Sequence, residues 1–374
     1  MKILEITEFS AGACGVWTRV LSESKEFIKL GHQVTVFSSN IEKGSGKTVK
    51  SEDYLDKVNI KRLKSTNVFY GMPKFATKIF SGNPTSFDFK KELMELKPDV
   101  VITHLWHHHS IKAVNLCKKL NIPCFLVTHA PFNVKRRFPL NLATWFFNNI
   151  SAVSPLTSGK RALKKFDKII AVTKWEIPYL EKLGISYEKI IYIPNGIPEE
   201  YFIQKAVKPK KDVLFLGRIA PVKDIETLLK AASLLPEVNF DIVGPAEEDY
   251  LKKLKLTSNV KILKPVYNLK NKIKLIDEHT IFVLPSKREA MPQALLEAMS
   301  RGKLVISSET DGGKEIIRNG KTGLLFKIGD YQELANLIKK NIKGNKTIQN
   351  NAKKEAKKYL WSNLVKIYQK LFEK

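Results

Sequence analysis

The sequence predicts an α/β protein of two domains, each a parallel sheet wrapped in helices, and three observations carry that prediction. At 374 residues the chain exceeds what one hydrophobic core supports, since single cores stop growing at about 250–300 residues. Short apolar runs alternate with longer helical patterns from the first residue onward, as in a parallel sheet covered on both faces. The alternation gives way at a polar, lysine-rich stretch, QKAVKPKKD (204–212), and then starts again.

Taken in order, the first set runs KILEIT, a helix around TRVLSESKEFIKLG, QVTVFSS, then DVVIT, a helix around SIKAVNLCKKLN, and PCFLVTH. The pattern pauses over 129–156 and resumes with DKIIAVT and KIIYIPNGI. After the lysine-rich linker come DVLFLGR, IETLLKAASLL, NFDIVG, EEDYLKKLK, VKILKP, LKNKIKLID and IFVLPS, then a helix marked by Pro292 and Gly302. KLVISSE, GKEIIRNG, GLLFKI and YQELANLIKK complete the second set. The final segment, 357–374, reads as one amphipathic helix with Leu360, Leu364, Ile367, Tyr368 and Leu371 on one face. The expected division is 1–200, 201–357 and a closing helix, 358–374.

Composition narrows the setting. Three cysteines, Cys14, Cys117 and Cys124, have no metal-ligand spacing and cannot all pair, which suits a reducing, cytosolic protein. The first strand, interrupted by Glu5, lacks the apolar core and cleavage site of a signal peptide. No apolar run approaches the ~18–20 residues of a spanning helix, so the expectation is a soluble protein or one lying on a membrane surface. The net charge of +27 asks for an acidic partner. Its lysines are scattered, without an arginine-rich tail, zinc-finger spacing or RNA-recognition signature, so a nucleic-acid partner is not expected.

The chemistry-bearing residues fall at strand ends, where parallel sheets take ligands. Gly217-Arg218 and Lys223 follow DVLFLG, and two cations there suit a diphosphate: arginine as a planar fork, lysine as a point charge. Gly312-Gly313-Lys314-Glu315 follows KLVISS and opens a helix, where free N–H groups and the dipole favour an anion. Gly12–Gly15 repeats that construction at the N-terminus without being the G-x-G-x-x-G of a dinucleotide site. Glu289 lies just ahead of the helix that Pro292 opens. Glu297 lies inside it, one turn beyond Gln293, where a carboxylate suits a pair of sugar hydroxyls. Each has a plain alternative: a solvated basic loop, a glycine turn, or an exposed Glu297–Arg301 pair.

In this order and spacing the residues resemble the retaining nucleotide-sugar glycosyltransferases of family 4, over nearly the whole chain. The match runs through Gly12–Gly15, His129, Asn195-Gly196, Gly217-Arg218, Lys223, Gly244-Pro245, Glu289, Glu297 and Gly312–Glu315. The resemblance implies the GT-B fold: two Rossmann-like parallel-sheet domains facing a central cleft, closed by a last helix that crosses back to the N-terminal domain. It implies a sugar moved from a nucleotide-diphosphate donor, UDP- or GDP-linked, to a hydroxyl of a glycan or lipid-linked acceptor, with retention, no cofactor and no metal.

By the same resemblance Arg218 and Lys223 hold the diphosphate, Glu297 the ribose, and Glu289 lies beside the donor sugar with the backbone of Ala290, Met291 and Pro292. Gly217, Gly244 and Val266 lie near the donor and its base, and Gly312, Gly313 and Lys314 form a further donor loop. Gly15 approaches the diphosphate from the N-terminal side, and His129 contacts the transferred sugar or the acceptor hydroxyl. The sequence departs from the family pattern at Gly12-Ala13, where Gly-Gly is common, and at Asp224, where glycine is commoner. It departs again at Glu289-Ala290-Met291-Pro292, which stands for Glu-Gly-Phe-Gly. These put in doubt how the donor sugar is held and leave the charged residues of the donor site in place.

Two clusters stay open at this stage. His104, Trp106 and His107–His109 follow DVVIT and read as acceptor contact, as a metal site or as plain packing. The segment 135–150 sets three cations ahead of Phe138, Leu142, Trp145, Phe146 and Ile150, the composition of a helix lying on an anionic membrane or of one packed on its own domain. The rivals to the main reading are a glycan phosphorylase or disaccharide synthase of the same fold, and a basic nucleic-acid-binding protein.

Overall fold

The computed structural model describes residues 1–12, 14–43, 46–67, 85–130, 160–203, 205 and 207–373. The segment 135–150 lies outside the described residues. Two compact units divide the chain: Met1–Pro194 with Val365–Lys374, and Asn195–Leu364.

In the first unit the strands are β1 (Lys2–Phe9), β2 (Gln33–Ser39), β3 (Glu52–Leu55), β4 (Val58–Leu63), β5 (Ser65–Asn67), β6 (Thr85–Phe87), β7 (Val100–His104), β8 (Cys124–Val127), β9 (Lys168–Ala171) and β10 (Ile190–Tyr192). The main sheet has the order β10-β9-β8-β7-β1-β2-β4-β3, with β5 and β6 forming a separate pair. Every neighbour in the main sheet is parallel except β3 on β4. The central strands are buried on both faces, which is why they read as near-continuous apolar runs. The sequence pattern does not show β3 and β4. Arg62 interrupts the apolar alternation of β4, standing in phase with Val58 and Ile60, and its burial is accommodated by donation to Ser10 Oγ at 2.8 Å and to Asp53 Oδ2 at 3.1 Å.

In the second unit β11 (Lys211–Leu216), β12 (Phe240–Val243), β13 (Val260–Leu263), β14 (His279–Leu284), β15 (Leu304–Ser308) and β16 (Leu324–Phe326) form one parallel sheet, ordered β13-β12-β11-β14-β15-β16. This is the doubly wound order, and its first strand lies between the second and the fourth. The first sheet repeats the arrangement around β1, which lies between β2 and β7. Connections leave in opposite directions at such a place, opening a crevice at the carboxyl ends of the strands where ligands bind.

The second unit begins earlier than the expected boundary at 200/201 because 195–201 packs into it. Ile197 exchanges backbone bonds with Tyr359 and Trp361, at 2.6 and 3.1 Å. Gly196 lies so close to the Trp361 ring that an added Cβ would stand 2.4 Å from it. Arg301 reaches the Tyr201 carbonyl at 2.5 Å.

The last helix is Trp361–Phe372 and not 358–374, because 357–359 is a 3₁₀ turn. Trp361, Leu364, Val365 and Tyr368 are its buried positions, so Trp361 and Val365 stand on the inner face where the sequence put Leu360, Ile367 and Leu371, which are partly exposed. No helix among the described residues is long and apolar enough to cross a membrane.

Candidate functional site

The second unit gathers its predicted residues at the β11/β14 switch point. Gly217 follows β11 and Gly244 follows β12, with φ at +152° in Gly244. A Cβ there would stand 1.9 Å from the Gly217 carbonyl oxygen, so two strand ends close together only because this residue is glycine. Ile219 locks the loops by donating to Pro245 O at 2.8 Å and accepting from Glu247 N at 2.9 Å. Arg218, half exposed, pairs with Glu247 at 3.0 Å.

Beyond Arg218, the 3₁₀ turn Pro221–Lys223 aims Lys223 at Glu289, Nζ to Oε1 2.5 Å, with side-chain exposures of 20% and 10%. Ser286 Oγ donates to the same oxygen at 2.6 Å. Lys287 N donates to Val222 O at 2.9 Å, tying the loops after β11 and β14 together. Asp224 has φ +50°, a left-handed conformation. That is the physical reason for glycine here in the family pattern: Asp is tolerated because short polar side chains bond locally in this region. Its carboxylate accepts from Thr227 Oγ1 at 2.8 Å and pairs with Lys287 at 3.3 Å.

The Glu289–Glu297 motif is held from three sides. Gly312 N donates to Glu289 O at 3.1 Å, and a Cβ on Gly312 would lie 2.5 Å from Ala290 O. Gly313 N donates to Thr310 Oγ1 at 3.0 Å. Both glycine N–H groups are therefore spent on the protein, and these glycines serve close backbone packing more than the anion cradle their sequence suggests. Lys314 is exposed. Asn195 donates to Met291 Sδ and Met291 O, each at 3.2 Å, and Gln293 Nε2 to Gly196 O at 2.7 Å. Pro292 is the residue flanking the helix, with ψ 107°, and the helix itself is Gln293–Ser300.

Glu297 is buried and bonded to Lys272 Nζ at 3.1 Å. Burial, and after it the Glu297 carboxylate, push the Tyr201 hydroxyl well above its usual pKa. Arg301, which the plain reading made an exposed partner of Glu297, is buried and makes a two-pronged pair with Asp277, at 2.9 and 2.7 Å. Val266 is partly buried against the core of this unit. Arg218, Lys223 and Lys272 each face a carboxylate, so the site is preassembled and self-neutralised.

The first unit places its predicted histidines at the β1/β7 switch point. His104 is fully buried, with Nε2 2.5 Å from Glu5 Oε2 and 3.3 Å from Glu23 Oε1. Its Nδ1 lies 3.0 Å from Nε2 of the half-buried His129. Of the readings left open for His104, its burial favours packing, and His129 is the more exposed of the two rings. Trp106 is partly buried against the core of this unit. Gly15 is the exposed first residue of helix Gly15–Lys29, with no atom within 4 Å of an added Cβ.

Leu105, His129 and Ala130 have φ of +68°, +56° and +50°. Such conformations cost about 1–3 kcal/mol each and cluster at functional sites. Behind the histidines, Arg19 pairs with Glu23 at 3.3 Å and donates to the carbonyls of Ile193 and Pro194 at 3.2 and 3.0 Å. Tyr368 donates to Glu23 at 3.0 Å and accepts from Arg19 at 3.1 Å. Glu5, Glu23 and His104 bring ligand atoms within 4.8 Å of one another, and Arg19 is the cation that faces them. Burial raises Glu5 well above the carboxylate range and Glu23 to about 7 against the pull of Arg19, and lowers His104 to about 4.

Sequence reasoning missed Arg19, Glu23, Lys272 and Ser286. Glu5 left a signal, a charge inside an otherwise apolar strand. The other four stand on ordinary helix faces or loop ends, where nothing local distinguishes them.

Two doubly wound parallel-sheet units, each with its polar residues at the switch point, define the GT-B architecture of nucleotide-sugar glycosyltransferases. The model of Glycosyltransferase Family 4 matches residues 13–201 and that of Glycosyl transferases group 1 matches 197–359; the chain belongs to glycosyltransferase family 4.

An uncharacterised glycosyltransferase of Methanocaldococcus jannaschii is 28% identical over 263 residues, 63% of this chain and 65% of its own length. An N,N'-diacetylbacillosaminyl-diphospho-undecaprenol alpha-1,3-N-acetylgalactosaminyltransferase of Campylobacter jejuni is 23% identical, over 65% of this chain and 68% of its own. A sulfoquinovosyl transferase of Arabidopsis thaliana, 30% identical, is matched over 34% of its length. Among solved structures, sucrose-phosphate synthase of Thermosynechococcus elongatus superposes with a TM-score of 0.75 at 17% identity, covering 100% of both chains. An Anabaena protein in complex with UDP and glucose gives 0.74 at 18%, covering 100% of this chain and 98% of the other.

Proposed function

We propose that this protein transfers a sugar from a nucleotide-diphosphate donor, UDP- or GDP-linked, to a hydroxyl of a glycan or lipid-linked acceptor, with retention of the anomeric configuration. The observation that carries the reading is the arrangement at the end of β11: Arg218, Lys223, Ser286 and Glu289 gathered in two tied loops at a switch point. The Anabaena structure with UDP and glucose, and the Campylobacter enzyme named for a diphospho-undecaprenol acceptor, support the donor and acceptor classes.

In the reaction, the bond from the sugar's anomeric carbon to phosphate breaks and a bond to the acceptor oxygen forms on the same face. The acceptor proton passes to the departing diphosphate, so no side chain is needed as a covalent nucleophile. Arg218 and Lys223 offset the charge that grows on the leaving phosphate, the kind of electrostatic stabilisation that usually contributes most to rate. They stand in for a metal ion, and none is needed. Glu289, freed from Lys223 by the diphosphate, accepts hydrogen bonds from the donor sugar with the backbone of Ala290, Met291 and Pro292 beside it. Glu297 takes the ribose once Lys272 moves off its Oε1. His129 contacts the transferred sugar or the acceptor hydroxyl. The basic segment 135–150 supplies contact with an anionic membrane at the cytoplasmic face.

The test is incubation of the protein with UDP- and GDP-sugars and lipid-linked or oligosaccharide acceptors, reading nucleotide release and the product's anomeric signals by NMR. Stoichiometric UDP or GDP with an α-linked product from an α-linked donor supports the reading. Inverted product removes the same-face mechanism, and nucleotide-independent turnover with inorganic phosphate replaces transferase by phosphorylase.

A further inference from the structure

Glu5, His104 and His129 form one continuous line of hydrogen bonds, from Glu5 Oε2 to His104 Nε2 at 2.5 Å and from His104 Nδ1 to His129 Nε2 at 3.0 Å. Each histidine has one inner and one outer nitrogen along this line. A neutral imidazole carries a single N–H, so fixing which nitrogen bears it at one ring fixes the next. The His129 Nδ1 is the outer end, without a protein hydrogen bond among the described residues.

We propose that Glu5 and His104 are positioning residues that set the tautomer of His129. The ionised Glu5 accepts Nε2–H of His104, whose bare Nδ1 accepts Nε2–H of His129, leaving a lone pair on His129 Nδ1. When Glu5 takes up one proton it donates to His104 Nε2. The His104 proton then sits on Nδ1 and is donated to His129 Nε2, and the His129 proton sits on Nδ1. The count balances: one proton enters from water, one carboxylate becomes a carboxylic acid, and both rings stay neutral. His129 thus offers a hydroxyl an acceptor in one state and a donor in the other. The use of that switch rests on the proposed role of His129 beside the sugar or the acceptor.

The surroundings suit this behaviour. Glu5 Oε1 is buried without a hydrogen-bond partner, and burial raises the Glu5 carboxyl well above its usual range. His104 is pulled down to about 4, and His129 is lowered well below an ordinary histidine, by burial first and then by His104, Arg19, Lys43 and His107. A proton arriving here finds the carboxylate a better seat than either ring. Glu23 also faces the line: its Oε1 lies 3.3 Å from His104 Nε2 and burial raises its carboxyl to about 7, while its Oε2 is held by Arg19 and Tyr368; Glu8 is bonded to His107 at 3.1 Å. A switch that survives Glu5→Gln would assign the proton to Glu23.

The experiment is a pH titration of the ¹⁵N-histidine-labelled full chain by long-range proton–nitrogen NMR, in wild type and in Glu5→Gln. Wild-type His129 should remain neutral while its proton moves from Nε2 to Nδ1 as pH falls, in step with the same exchange at His104. Glu5→Gln should abolish the pH dependence of both. A single His129 tautomer over the whole range, or a switch that survives Glu5→Gln, overturns the proposal, and the wild-type titration alone decides it if the variant does not fold.

Turnover of UDP-glucose or GDP-mannose, whichever the wild type uses, provides the second reading. Its kcat should fall on the acidic side with the tautomer switch at constant donor KM, and Glu5→Gln should lose that limb and run about tenfold slower or more. A kcat profile indifferent to the switch overturns the positioning role. Absence of transfer in a wild type that does switch overturns the functional reading and leaves the tautomer coupling supported.

Discussion

Replacing Gly312 by alanine tests whether the glycine loop holds the donor motif in place. The added Cβ would stand 2.5 Å from Ala290 O, 2.7 Å from Ala290 C and 2.9 Å from Glu289 O. All three are backbone atoms, so no rotamer change relieves them, and contact distance demands a shift of about 1 Å. Overpacking of this kind costs about 1–3 kcal/mol. The shift cannot stay local, because Gly312 N holds Glu289 O at 3.1 Å and the Glu289 carboxylate holds Lys223 and Ser286. A displacement of that size at a reacting group costs about 10²-fold in rate. Urea denaturation read by fluorescence gives the first number and donor turnover the second. Gly15→Ala, whose Cβ meets nothing within 4 Å, is the control for stability. A Gly312→Ala protein as stable as the control and turning over donor at the wild-type rate refutes the argument.

Asp224→Gly removes a left-handed residue but also its bonds to Thr227 and Lys287; stability should change by less than about 1 kcal/mol, and a much larger loss in chemical denaturation would show that those bonds outweigh the strain. Asp277→Asn leaves the buried Arg301 guanidinium without its carboxylate, which should cost about 3–5 kcal/mol in the same assay; a loss under 1 kcal/mol would mean that water or another carboxylate replaces it. His109, its Nε2 bonded to His104 O at 2.8 Å and its pKa lowered by burial to about 4, binds a proton when unfolded but not when folded between about pH 6.5 and 4. Its contribution is complete above about 6.5 and falls as pH drops, by at most about 1.4 kcal/mol per pH unit. His109→Gln should therefore flatten the acid limb of stability against pH, and an unchanged slope would show that His109 titrates normally.

Most of the fold was legible because buried parallel strands are apolar almost throughout: QVTVFSS and DVVIT need no partner to be recognised. β3 and β4 were not, since their charged residues are satisfied only by tertiary contacts such as Arg62 with Ser10. That Gly196 and Ile197 go with the second unit has no local signal, since they are fixed by Trp361 and Tyr359, more than a hundred residues away. In the candidate site, cations and glycines announce themselves at strand ends. Which carboxylate each cation faces is set by loop closure: Lys223 meets Glu289 only because Val222 and Lys287 tie two loops together. The histidine cluster was visible, but its ordering into a buried His104 and a half-buried His129 depends on Glu5 and Glu23 from other elements.

The most direct test of the donor site is calorimetric titration of UDP and of GDP into the wild type and into Lys223→Ala and Arg218→Ala. One of the two nucleotides should bind the wild type, and each variant should bind it about ten- to a hundredfold more weakly, the worth of one charge-assisted contact. Both variants binding as tightly as the wild type, or neither nucleotide binding at all, would contradict a diphosphate site at the end of β11.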